Sequence, residues 1–170
     1  MKVVATVFGS AIAFLVVCVL AFAYFTRAPN EAKLKQIFYA HRSSFEQLRK
    51  MLETEPGEMQ VIKDGRAWSV EGDKAKSYVA LMKDIPATDV SRLTDRSPKP
   101  LLVITVWASG FAGDTVHAGL CWTDERPPRC VSSLDAFTRD PKSSAGTGWV
   151  FQSIEGNWYI WTDRLTGRSP

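Results

Sequence analysis

Two histidines and a few carboxylates are the side chains that could support catalysis in this 170-residue chain. Nucleophilic catalysis needs a serine or cysteine beside a histidine base and an orienting acid, and only His41 and His117 could be that base. His41 falls on the apolar stripe of a predicted helix, which is typical of a hydrogen-bonded histidine at the edge of a core. His117 shares a strand face with Cys121, but a cysteine in a disulfide has no thiolate to offer. The histidines therefore do not predict nucleophilic catalysis.

The carboxylates and loop motifs also predict no chemistry. Glycoside hydrolysis needs two carboxylates across a cleft, and the candidate pairs are Asp124 with Glu125 and Glu155 with Asp163. All four fall in predicted turns or at strand ends, where solvated acidic residues are common. There is no H-x-x-x-H or C-x-x-C motif, and residues 143–148 lack the Gly-Lys-Ser/Thr ending of a phosphate loop. We expect no enzyme activity, no metal site and no cofactor.

A Pro-containing turn flanked by Cys121 and Cys130 is the first candidate contact surface. A disulfide between these residues would close a 10-residue loop. In the chain-entropy model such a bridge stabilises the fold by about 2.7 kcal/mol, because it restricts the unfolded chain. Two unpaired cysteines remain the alternative, because spacing alone does not establish the geometry of a bridge. Arg126 and Arg129 lie in this rigid turn and are predicted to contact a partner.

Tryptophan supplies the second candidate surface. The chain contains six tryptophans, and this residue type is enriched at binding hot spots. In the predicted final hairpin, Trp149, Trp158 and Trp161 are assigned as partner contacts. The alternative is that all six belong to the core, with one predicted helix packed on each face of the sheet.

An apolar N-terminal stretch precedes these elements. Residues 3–25 contain no charged residue, and a helix of this length covers about 34 Å, enough to cross a hydrocarbon core of about 30 Å. We predict a membrane anchor at residues 1–27, followed by a soluble domain at residues 28–170. A cleaved signal peptide is the alternative, because Ala21-Phe22-Ala23 offers a cleavage site, although signal cores usually contain only about 7–15 apolar residues.

The predicted side of the membrane depends on the cysteines. Basic residues after the anchor favour a cytoplasmic domain, whereas a disulfide requires an oxidising compartment. We give the cysteines more weight and predict a single-pass protein of the bacterial inner membrane with its domain in the periplasm. Of the 21 basic residues, two belong to the anchor, which leaves 19 against 18 acidic residues. This balance argues against nucleic-acid binding.

The rest of the chain predicts an α+β domain. Apolar residues recur at helical spacing from Asn30 to Leu52 and predict one amphipathic helix, and residues 73–84 predict a shorter second helix. Asp64-Gly65 is a favoured hairpin turn between two short strands. Residues 135–148 form a predicted loop. The remaining strands of a five- or six-stranded antiparallel meander are predicted at residues 101–108, 115–123, 149–154 and 158–162.

Three stretches of this sequence, HRSSFEQLRKML at residues 41–52, Ser133-Leu134-Asp135, and IEGNWYIW at residues 154–161, have a familiar pattern. Together they resemble a group of small, N-terminally anchored envelope proteins of Gram-negative bacteria with no known activity. The resemblance spans about residues 30–165 and implies architecture and envelope location alone. It implies no catalytic residue, and the pair Cys121 and Cys130 is not a feature of that group.

These observations predict a non-enzymatic, membrane-tethered periplasmic protein that binds a partner protein. An immunity or inhibitor protein is one version of this prediction, and an envelope assembly or stress factor is another. A peptidoglycan- or glycan-binding module is the alternative, which an exposed coplanar pair among Trp149, Trp158 and Trp161 would favour. A hydrolase using Asp124, Glu125 or His117 would instead require a deep cleft that brings two of them together.

Overall fold

The computed structural model describes residues 16–17, 28–94, 99–111, 114–139 and 148–165. The predicted anchor and the alternative cleavage site therefore lie outside the described residues, except for the helical pair Val16 and Val17. Within the described part of the chain, no helix has the length and apolar character that a membrane span requires.

The predicted first helix is in fact two helices, α1 (Glu31–Ala40) and α2 (Arg42–Glu53). They are separated at His41, which has φ −123° and ψ 25° and donates its backbone N–H to the carbonyls of Ile37 and Phe38. The prediction of one continuous helix is therefore wrong. A break of a single residue hardly disturbs the apolar spacing, so the periodicity could not reveal it. The predicted second helix is confirmed as α3 (Gly72–Lys83).

In the described part of the chain, seven strands form a single antiparallel sheet, which confirms the α+β class. The strands are β1 (Met59–Ile62), β2 (Ala67–Trp68), β3 (Asp89–Leu93), β4 (Leu101–Phe111), β5 (Asp114–Trp122), β6 (Val150–Glu155) and β7 (Trp158–Leu165). Their order in the sheet is β2-β1-β3-β4-β5-β7-β6. The Asp64-Gly65 hairpin is present, with Gly65 at φ 96°. Strand β3 and one short helix, α4 (Leu134–Arg139), were not predicted.

Helices α1, α2 and α3 all pack on the same face of this sheet. Phe38, Leu48 and Tyr78, one from each helix, belong to a single core with Ala118 and Leu120 of β5. The alternative with one helix on each face is therefore wrong. The predicted alternation of β5 is confirmed, because Cys121 belongs instead to a separate apolar cluster on the opposite face. We call this opposite face the open face, because α1, α2 and α3 do not cover it, although the residues of its apolar cluster are buried.

A polar network attaches the start of α1 to β6. Glu31 Oε1 accepts hydrogen bonds from Lys35 Nζ and Gln152 Nε2, both at 2.6 Å, and Oε2 accepts one from Ser133 Oγ at 3.0 Å. The hydrogen bond from Lys35 lowers the pKa of Glu31 below its ordinary value of 4.5, against the opposing effect of burial. The hydrogen bonds from Gln152 and Ser133 lower this pKa further. Folding therefore favours the ionised form of Glu31.

We expect Glu31→Gln to weaken the acid sensitivity of the fold. A carboxyl whose pKa is lowered by folding contributes stability above its unfolded pKa, and this contribution is lost as the pH falls through the folded pKa. The free energy of unfolding of the wild-type chain in detergent micelles should therefore fall more steeply below about pH 4.5 than that of the variant. The exposed Glu71 provides the control variant Glu71→Gln. Equal acid sensitivity in all three proteins would contradict this role.

Candidate functional site

The open face of the sheet carries a groove of about 280 Å³. Cross-strand pairing places Asp89, Thr105, Gly119 and Trp161 in one row, because each is the register partner of the next. Side chains of one row point to the same face of a sheet. The lining residues of the groove include Gln60, Trp68, Asp89, Thr105, His117 and Asp163.

Gly119 occupies the middle of this row, between Thr105 and Trp161. A Cβ atom at this position would overlap the carbonyl oxygen of Ile104 on the neighbouring strand. The β4 and β5 backbones therefore approach too closely for any side chain at residue 119. This approach occurs beside the β-bulge between Thr105 and Trp107.

A partly exposed carboxylate, Asp89, lies on the β3 side of the groove. Its Oδ1 accepts a hydrogen bond from Thr105 Oγ1 at 3.1 Å, and its Oδ2 accepts one from Thr88 Oγ1 at 3.2 Å. Gln60 Nε2 and Ser91 Oγ each lie 3.5 Å from Oδ1. Among the residues described by the structure, Asp89 has no lysine or arginine partner. The groups that donate hydrogen bonds to the Asp89 carboxylate are neutral amides and hydroxyls.

His117 and Asp163 form a pair at the other end of the groove. Asp163 Oδ1 lies 2.8 Å from His117 Nδ1 and also accepts the backbone N–H of His117 at 3.0 Å. Asp163 is only 4% exposed, while His117 is partly exposed. The sequence did not predict this pair, because the two residues meet only through the pairing of β5 with β7.

The Cys121 and His117 couple considered from the sequence is not formed. The two residues are four positions apart on β5, a separation of about 13 Å along a strand. Cys121 is fully buried, and burial raises the pKa of its thiol. The hydroxyl of Thr105 donates to Asp89 and not to His117. The described side chains of the groove thus supply an oriented histidine without a nucleophile in contact with it.

The predicted disulfide is not formed either, since Cys121 and Cys130 are both free cysteines. Cys121 lies on β5, whereas Cys130 pairs with Phe151 at the outer side of β6, and β7 lies between β5 and β6. At about 4.8 Å per strand spacing, their Cα atoms are on the order of 14 Å apart, beyond the roughly 7 Å that a disulfide allows. Cys130 Sγ instead donates to the carbonyl of Pro127 at 3.3 Å.

Two of the tryptophans predicted to contact a partner are buried. Trp158 is 4% exposed, packs on Phe38 and Phe45 in the helix-side core, and donates its indole N–H to Glu46 at 2.8 Å. Trp161 is 1% exposed and donates to the carbonyl of Leu120 on the open-face side. Both predictions are corrected, because the indoles are committed to packing and to internal hydrogen bonds.

Trp149 stacks directly on Trp161, with ring centroids 4.3 Å apart and planes at 9°. Trp149 is partly buried and also lines the groove. The two rings are parallel, but they stack on each other and Trp161 is buried. They are therefore not the exposed coplanar pair that a glycan platform would need. Trp68 is the large exposed aromatic residue of the groove, at 58% exposure on edge strand β2. The sequence did not distinguish it from the other tryptophans.

The remaining predicted site residues do not converge on the groove. Arg126 and Arg129 are exposed, and the Arg129 guanidinium lies 5.7 Å from the centroid of Phe137. Among the candidate acids, Asp163 alone lines the groove. Glu155 instead forms an exposed ion pair with Arg42 at 2.6 Å, and Asp124 and Glu125 are exposed. No cleft brings the candidate carboxylates of the described chain together.

Comparisons with protein-family models, with curated proteins and with solved structures found no match to this chain. The groove of the open face combines an exposed indole, a partly exposed carboxylate and an oriented histidine, a combination that suits the binding of a ligand.

Proposed function

We propose that the protein is a non-enzymatic, membrane-tethered binding protein that contacts a partner protein in the bacterial periplasm through its open face. The observation that carries the proposal is the groove on that face, whose rim includes the exposed Trp68. Tryptophan at the edge of a partly polar depression is characteristic of contact surfaces. An immunity or inhibitor protein would be one member of this class.

The tether and the compartment in this proposal have their own support. Residues 3–25 have the length and composition of a membrane span. The free cysteines remove the disulfide argument for the periplasm, so the proposed compartment depends on the resemblance to anchored envelope proteins. Arg126 and Arg129 stay proposed contacts, because both are exposed.

A protein partner is favoured over a glycan by the arrangement of the aromatic rings. Stacking on sugars requires exposed ring faces, whereas the parallel rings of Trp149 and Trp161 stack on each other and Trp161 is buried. A single exposed indole beside a carboxylate is instead suited to side-chain recognition.

Site-specific photocrosslinking tests the proposal. In one full-length protein a photoreactive benzoylphenylalanine replaces Trp68, and in the control it replaces Tyr39, which is 55% exposed on α1 at the helix side of the sheet. We expect irradiation of intact cells to give one dominant protein adduct from position 68 and not from position 39. Identical adducts from both positions, or no protein adduct, would refute the proposal. Adducts with sacculus fragments alone would support the glycan module instead.

A further inference from the structure

We infer that the groove on the open face binds a positively charged side chain, an arginine or a lysine, carried by a segment of the partner protein. This inference rests on the proposed protein-binding function and specifies the chemistry of the partner. It is carried by the juxtaposition of the Asp89 carboxylate and the exposed Trp68 indole in one groove.

The described residues that line the groove include two aspartates, Asp89 and Asp163, and no lysine or arginine. The chain after residue 27 is nearly neutral, with 19 basic and 18 acidic residues, so this negative character is local. A concave surface lined by one sign of charge concentrates its field and attracts a ligand group of the opposite sign.

The two carboxylates of the groove differ in availability. Asp163 is buried and uses Oδ1 to accept hydrogen bonds from the backbone and the ring of His117. Asp89 is partly exposed, and its hydrogen bonds come from neutral groups. Among its described contacts, Asp89 Oδ2 accepts a hydrogen bond from Thr88 alone, and a carboxylate oxygen has two lone pairs, so Oδ2 retains capacity for a charged donor. Asp89 is therefore the direct partner of the cation, and Asp163 adds to the field.

Trp68 is placed to contact the same cation. Its register partner is Gln60, and Gln60 Nε2 lies 3.5 Å from Oδ1 of Asp89 in a neighbouring row, so Gln60 lies between the indole and the carboxylate. A cation over an indole face is stabilised by the ring quadrupole. A guanidinium can stack on an aromatic ring while it donates hydrogen bonds to a carboxylate, which makes arginine well suited to this site.

An NMR titration tests the site directly. The probes are two blocked peptides, Gly-Arg-Gly-Arg-Gly and Gly-Glu-Gly-Glu-Gly, added to the full chain in uncharged detergent micelles. The readout is the indole N–H resonance of Trp68, assigned by its loss in Trp68→Phe. We expect the arginine peptide to shift this resonance and the glutamate peptide to leave it unchanged.

Two variants complete the test. Asp89→Asn should raise the dissociation constant of the arginine peptide at least about fivefold, the equivalent of about 1 kcal/mol. The control Asp73→Asn removes a fully exposed carboxylate on α3 and should change the dissociation constant of the arginine peptide less than about twofold. No shift with the arginine peptide, equal shifts with both peptides, or an unchanged affinity in Asp89→Asn would overturn the inference.

The two proposals can fail separately. A position-68 protein adduct that forms equally well in the Asp89→Asn background would refute the cation site and leave protein binding intact. Absence of any protein adduct would refute protein binding, and the peptide titration would still report whether the groove takes a cation.

Discussion

Gly119→Ala is expected to lower the free energy of unfolding by about 3 kcal/mol or more, because the added methyl group meets backbone and not a movable side chain. The new Cβ atom would overlap the carbonyl oxygen of Ile104 and crowd the Cα atom of Thr105. Relief of this overlap requires β4 and β5 to separate. These strands form the longest antiparallel ladder of the sheet, so a local adjustment would disturb many hydrogen bonds.

The control for this substitution is Gly57→Ala. A Cβ atom at Gly57 would have no heavy atom within 4 Å, and the residue does not require a left-handed conformation. We expect its free energy of unfolding to stay within about 0.5 kcal/mol of the wild type. Urea denaturation followed by near-ultraviolet circular dichroism would measure both variants. Similar stabilities for the two alanine variants would mean that β4 and β5 are not in the close approach described.

The same substitution has a consequence for the groove. Gly119 lies between Thr105 and Trp161 in the row that forms its floor. Any protein that folds with a methyl group at this position would have a shifted row, and the distance between Asp89 and Trp161 would change. Glycine at this position therefore supports both the packing of the sheet and the shape of the candidate site.

Features encoded by neighbouring residues could be predicted from the sequence. Asp64-Gly65 and Glu155-Gly156-Asn157 both form hairpin turns, with Gly65 and Gly156 at positive φ, a conformation that glycine adopts without strain. Alternation along β5 correctly separated Ala118 and Leu120 from Cys121. Each of these signals depends on a few consecutive residues, so no knowledge of the tertiary fold was needed.

Features that depend on long-range pairing could not be predicted. His117 and Asp163 are 46 positions apart and meet only because β5 pairs with β7 in one register. A helix periodicity identifies the buried side of a helix but not the sheet face that it covers, so it could not show that α3 shares a face with α1 and α2. Strand β3 was missed because its sequence, DVSRL, mixes charged and apolar residues.

The tryptophans show how this limit affects a candidate site. Their number indicated excess aromatic surface, and Trp158 and Trp161 were assigned to a partner. Both are instead buried on opposite faces, while the exposed Trp68 lies on a two-residue edge strand. Composition reports how many indoles a chain has, but exposure is set by strand order, and Trp68 is at the edge because β2 is the first strand of the sheet.

Phe38→Ala is expected to lower the free energy of unfolding by about 3–5 kcal/mol, the usual cost of removing a buried phenylalanine. Phe38 is fully buried on α1, and its ring centroid lies 5.4 Å from that of Trp158 and 6.2 Å from that of Phe45. These rings join α1, α2 and β7 in one contact. Loss of the Phe38 ring leaves a cavity that its rigid aromatic neighbours can fill only in part.

The neighbouring residue provides the control. Tyr39 is 55% exposed, and its ring contacts the edge of Phe38 at a centroid distance of 5.2 Å. Tyr39→Ala therefore removes an aromatic ring from the same helix without opening the core, and we expect it to cost no more than about 1 kcal/mol. Chemical denaturation would compare the two variants. If Tyr39→Ala were as destabilising as Phe38→Ala, the burial of Phe38 beneath α1 would be wrong. A large difference would instead support a core in which Phe38 packs α1 against α2 and the sheet.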